Sequence, residues 1–222
     1  MKSRIVVLLG LILFSSCIVK SIQPFYIKNS ESFNEKLIGS WSDNKKGSWE
    51  VLSFEEEFNK ENSKEGEAKF KLSKEDIKLY ETYKNGYFIK YVKKESEAMF
   101  IGVPFKVDNH FFIDFVPFEF DSDDISKLVG QHLLKTHSTA LVEINGNDSI
   151  NLKWLSEKAV GTLLEQKKLR LKHEITGLDE DLVLTASSQE LYNFLKKFMS
   201  SDFDDKWDND DIYTLTPDNA KP

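Results

Sequence analysis

Alternation rules the first half of the chain. The runs GYFIKYVKK (86–94), AMFIGVPFKV (98–107) and HFFIDFVPFEF (110–120) are rich in aromatic and β-branched residues. Turn signals separate them: Asn85-Gly86, and Val107-Asp108-Asn109. That punctuation predicts an antiparallel meander, closed or strongly curled. The segments GSWEVLSFEEEF (47–58), EAKFKL (67–72) and DIKLYETY (76–83) are read as further strands, with NKENSKEG (59–66) a polar loop between them. In 110–120, Phe111, Ile113 and Phe115 face one side; Phe112, Val116, Phe118 and Phe120 face the other, with Asp114 among them. Apolar residues on both faces predict a strand covered on both sides, or one wall of a pocket. Phe112, Asp114 and Phe118 are the candidate pocket residues.

The period changes in the second half. STALVEI, Asn145-Gly146 and SINLKWL make a hairpin. Ser156 then opens a helix with Ala159, Val160, Leu163 and Leu164 on one face. LVLT (182–185) is a candidate strand. Ser187 with Glu190 forms a capping box, starting a helix in which Leu191, Phe194, Leu195 and Phe198 repeat at i, i+3, i+4, i+7. IYTLT is the last strand. The fold class is therefore α+β, predominantly antiparallel β as a curled meander or barrel-like sheet, with two helices in the C-terminal half. The expected organisation is a signal peptide over 1–16, lipid attachment and tether over 17–36, one domain over 37–216 and a tail over 217–222. The domain divides into the meander (37–120) and the hairpin with helices (121–216).

The N-terminus has a different character. Lys2 and Arg4 precede ten residues, IVVLLGLILF (5–14), apolar but for Gly10, and then Ser15-Ser16-Cys17. A charged start, a short greasy run and small residues read as a secretory signal, well short of the roughly 20 apolar residues of a spanning helix. LFSSC (13–17) resembles the lipobox of bacterial lipoproteins, although Phe14 stands where that family usually carries Leu. The resemblance implies lipid attachment at Cys17 and cleavage just before it; an ordinary signal cut after Cys17 is the alternative. Two or three acyl chains make a stable anchor, at about 0.8 kcal/mol per buried CH₂. Lipidation would also remove the lone thiol of an exported chain. Ile18, rather than Asp, follows the cysteine, which by the same resemblance favours the outer membrane.

Two further resemblances concern the body. Leu37-Ile38-Gly39-Ser40-Trp41 is similar to the G-x-W start of lipocalin-like barrels, which implies a barrel able to enclose a small ligand. HLLKTHSTALVEINGNDSINL (132–152), LSEKAVGTLLEQ (155–166), Lys172-His173-Glu174 and LVLTASSQELYNFLKKF (182–198) resemble a group of bacterial proteins, many of them exported or lipid-anchored, without an assigned activity.

Charge narrows the partners. The formal charge is −7, and loss of residues 1–16, with Lys2 and Arg4 and no acid, leaves −9. Beyond the leader Arg170 is the sole arginine. A body of this sign is repelled by phosphate backbones, so nucleic acid is not an expected partner. The expected partners are the membrane, through the lipid anchor, and a small apolar ligand or an envelope protein.

Catalytic signatures are missing from the chain: it contains no G-x-S-x-G, P-loop or G-x-G-x-x-G. His110, His132, His137 and His173 lack helical metal spacing; His173-Glu174 begins an H-E-x-x-H pattern, but Gly177 stands where the second His belongs. The acidic run from Asp202 has Trp207 and Tyr213 where a calcium loop needs Gly and Glu. No cofactor or metal is expected. The expected function is a membrane-anchored, non-catalytic binding or envelope-interaction module. The alternative is a hydrolase-like enzyme whose site gathers His and carboxylate residues from distant strands; a cleft bringing His137 or His173 within hydrogen-bond reach of Asp114 would favour it.

Overall fold

A computed structural model describes residues 18–62, 72–118, 133–178, 180–204 and 206–218. Residues 1–17, which include Cys17 and the expected signal peptide, most of EAKFKL, Phe120 and His132 lie outside the described residues.

Eight antiparallel strands close into a barrel. In order around the wall they are β2 (Gly39–Asp43), β3 (Ser48–Ser53), β4 (Tyr87–Lys93), β5 (Ser96–Val107), β6 (His110–Pro117), β7 (Ser138–Ile144), β8 (Ile150–Trp154) and β11 (Ile212–Pro217). Closure comes from β11, which pairs with β8 on one side and with β2 on the other, Leu215 opposite Asp43 and Thr216 opposite Ser42. A closed wall leaves no strand edge open along most of its circumference.

Alternate residues of the wall point inward. Trp41, Trp49, Val51, Tyr87, Ile89, Ile113, Phe115, Val142, Ile150, Leu152, Trp154 and Leu215 form one buried cluster. Gly102 makes room among them: a Cβ there would meet Ile89 Cδ1 at 2.6 Å and Ile113 Cγ2 at 3.1 Å. Residues on the other face of β5 and β6 are buried too, beneath two outer layers. Phe105, Val107, Phe112 and Leu141 lie under α3 (Glu157–Glu165), α4 (Ser188–Ser200) and a small sheet. Ile101, Val103 and Val116 lie under α1 (Phe54–Asn62) and α2 (Lys74–Tyr83). The two-sided apolar pattern of 110–117 is thus a wall covered on both faces.

The small sheet runs β1 (Lys20–Ser21), β10 (Asp181–Leu184), β9 (His173–Thr176), with β1 parallel to β10 and β9 antiparallel to it. α4 carries the predicted capping box, and Leu191, Phe194, Leu195 and Phe198 are its buried face.

Three sequence expectations need correction. DIKLYETY is helical, not extended: Ser73 and Asp76 form a capping box, which satisfies two N-terminal donors and commits the segment to α2. Phe54–Asn62 is likewise helical, so strand β3 ends at Ser53 and the helix takes the start of the polar loop. Residues 18–36, expected as a tether, are part of the body. Val19 and Phe25 are fully buried. Ser32 N–H donates to Pro104 O at 2.9 Å and Lys106 N–H to Ser30 O at 2.9 Å. This segment covers the stretch of β5 beyond its last pair with β4, Tyr87 with Gly102.

Candidate functional site

Asp114 points outward from β6, between Phe112 under one outer layer and Val116 under the other. It is completely buried. Its Oδ2 accepts the Phe25 N–H at 2.8 Å, and its Oδ1 lies 2.6 Å from His137 Nδ1. His137 is held from both sides: its backbone exchanges two 2.8 Å hydrogen bonds with Ser21, and β7 begins at the next residue. The imidazole side chain is 13% exposed.

Burial pushes the Asp114 carboxyl above the ordinary carboxylate range; the His137 hydrogen bond and charge, and the Phe25 N–H, pull in the opposite direction. Burial and then the Asp114 charge push the nearby Tyr26 phenol upward, and the same two causes raise Tyr83. The geometry is that of a carboxylate orienting an imidazole through Nδ1, which leaves Nε2 to accept or donate a proton. Among the described residues no hydroxyl or thiol hydrogen-bonds to His137. Among the described residues, then, the dyad is an acid–base group with no nucleophile hydrogen-bonded to it.

The other histidines are elsewhere. His173 is exposed on β9, with Nδ1 2.8 Å from Leu171 O. His110 opens β6, and its Nδ1 is buried without a hydrogen-bond partner among the described residues. Among the described residues no cluster of three His, Cys, Asp or Glu side chains could hold a metal ion. Within the acidic run Asp208 caps a 3-10 turn at Asn209–Asp211 by accepting the Asp210 N–H.

Two spaces differ sharply in size. Inside the barrel, between Trp41, Trp49, Ile113, Phe115 and their neighbours, the void is about 20 Å³. That is about the room of one water, and the lining is apolar. Outside the barrel, between α3, α4 and residues 201–204, lies an open groove of about 620 Å³. Leu163, Leu169, Phe194, Phe198 and Phe203 give it an apolar floor, and Lys168, Lys197 and Gln166 stand at its rim. Phe203 and Trp207 pin the acidic run against α4, their rings 6.4 and 5.7 Å from that of Phe198.

Of the candidate pocket residues, Phe112 and Asp114 are sealed beneath the outer layers, and Phe118 packs with Phe88 at 5.4 Å. None of the three lines the groove. Sequence reading missed the groove because its floor joins two helices and a loop. The available signal was the pair of aromatics, Phe203 and Trp207, inside an acidic stretch, where a fully solvated loop has no use for them.

In comparison with known proteins, no family model, no curated protein and no solved structure matches the chain.

Proposed function

We propose that this chain is a bacterial envelope lipoprotein, anchored through Cys17, whose principal role is that of a non-catalytic module binding a small apolar ligand in the groove between α3 and α4. The observation that carries the reading is the contrast between a barrel filled by its own side chains and a groove of about 620 Å³ with an apolar floor. That volume lies in the range of small-molecule sites. The antiparallel closure and the inward Trp41 support a lipocalin-like reading of the barrel, with the barrel as a scaffold and the ligand outside it. Among the described residues no helix is long and apolar enough to cross a membrane; the support for a lipid anchor is the lipobox resemblance of residues 13–17.

Native mass spectrometry of the purified body tests the binding role, together with titration of an environment-sensitive apolar dye. Wild type should enhance dye emission, and Phe198→Lys, which puts a charge in the floor, should lose most of that enhancement. Equal emission from both removes the groove as the site. Anchoring is tested by intact mass: membrane-extracted protein should lack the leader and carry acyl mass, and Cys17→Ser should carry none.

A second reading has one specific support, the 2.6 Å contact of Asp114 with His137. In it, His137 is the acid–base group of a hydrolase-like site. A panel of ester substrates assayed across pH would then show turnover that disappears in His137→Gln while the fold is retained.

A further inference from the structure

Among the described residues the small sheet ends at β9, which is paired on one side only. All four residues of β9 are exposed, Ile175 at 57%, and Leu178 just beyond is fully exposed. The ladder shows which backbone groups face outward. Thr185 N–H donates to Lys172 O at 2.9 Å, and Leu184 stands opposite His173. Bonded and non-bonded pairs alternate in an antiparallel ladder. Lys172, Glu174 and Thr176 therefore turn their N–H and C=O toward β10, whereas Leu171, His173 and Ile175 turn theirs to the open edge. The Leu171 carbonyl uses one lone pair on the His173 ring and keeps a second.

We propose that this edge pairs with the same edge of a second copy of the chain, antiparallel, about a twofold axis at His173. The sequence is self-complementary in that register. Lys172 falls opposite Glu174 of the second copy, and the twofold repeats the pair. On the other face Leu171 falls opposite Ile175 of the second copy, also twice. Directly opposed residues of this kind are the units that stabilise a sheet. Moving the axis to Glu174 sets the two Glu174 carboxylates against each other. Moving it to Ile175 sets Lys172 against Leu178 and gives up both ion pairs. An isologous twofold contact is the commonest way for a chain to meet itself. A contact of five residues per copy is far smaller than the roughly 1,200–2,000 Å² of a stable interface, so the association is weak and reversible in dilute solution.

Disulfide trapping suits a weak contact. In the full chain carrying Cys17→Ser, a cysteine introduced at position 173 meets its own counterpart at a Cα separation of about 5.5 Å, within disulfide range. His173→Cys should give a covalent dimer under mild oxidation. Lys172→Cys and Ile175→Cys, offset from their own counterparts by more than about 7 Å, should stay monomeric. Added to His173→Cys, either Lys172→Glu or Glu174→Lys should suppress trapping, and the two together should restore it. The proposal is overturned if His173→Cys is not trapped, if Ile175→Cys is trapped instead, or if the single charge reversals leave trapping unchanged.

Discussion

Asp114 on β6 and His137, just before β7, are joined through Oδ1 and Nδ1 at 2.6 Å, and the second carboxyl oxygen holds the backbone of Phe25. One buried carboxyl thus ties the barrel wall, the entry to β7 and the N-terminal segment together. Asp114→Ala would leave the Phe25 N–H buried without an acceptor, at a cost of about 1–3 kcal/mol. Asp114→Asn can still accept from Phe25 and donate to His137 Nδ1, so it should cost much less in urea denaturation. Comparable losses in the two variants would mean that the carboxyl's hydrogen bonds do not hold this junction.

The same carboxyl gives stability a sign with pH. Burial raises its folded pKa above the unfolded value, 3.8. Its contribution is therefore fully present below the unfolded pKa and is lost as pH rises through the folded one. Placing the comparison in a His137→Gln background removes the imidazole titration. There the stability of the Asp114 protein relative to Asp114→Asn should fall as pH rises above the ordinary carboxyl range. A difference that stays flat with pH contradicts the raised pKa.

Tyr87 is fully buried among the inward residues of the barrel. Its hydroxyl accepts the Asn34 N–H at 2.8 Å and donates to Asn34 O at 2.9 Å, beside the 3-10 turn at Glu35–Leu37. Burial raises its phenol from 10.0 to about 12. Its contribution is present below 10.0 and is lost as pH climbs through about 12. Tyr87→Phe should lose about 1–3 kcal/mol at neutral pH and show a shallower alkaline loss of stability, both readable by denaturant unfolding.

Phe115 fills the barrel, its ring 4.4 Å from that of Trp154. Phe115→Ala should cost about 3–5 kcal/mol and open an apolar cavity where wild type has almost none. Xenon or benzene should then raise the melting temperature of the variant and leave wild type unmoved. A matching shift in wild type would show that the barrel is not filled.

Gly47 sits in the β2–β3 turn, where a Cβ would strike the Tyr91 ring and lie 2.6 Å from Asp43 Oδ2. Asp43 organises that turn by accepting from Lys45 N–H and Gly47 N–H through Oδ1 and from Trp49 Nε1 through Oδ2. Gly47→Ala should destabilise by about 1–3 kcal/mol and alter Trp49 fluorescence. An unchanged melt and spectrum would show that the turn yields without cost.

What the sequence by itself determined is short in range. Alternation over 98–117, the hairpin punctuated at Asn145-Gly146 and the Ser187–Glu190 box each depend on neighbours within a few residues; the strands, the hairpin and the box all form, with the hairpin turn extending over 145–149. The Ser73–Asp76 box was equally local, yet the alternating DIKLYETY pattern obscured it, because short amphipathic runs fit both periods. Tertiary structure alone decided the rest. Closure brings Leu215 to Asp43, the dyad brings Phe25, Asp114 and His137 to one point, and the groove needs two helices with Phe203. Those contacts depend on how many strands close the wall and on what covers it, and no spacing within a single segment encodes either.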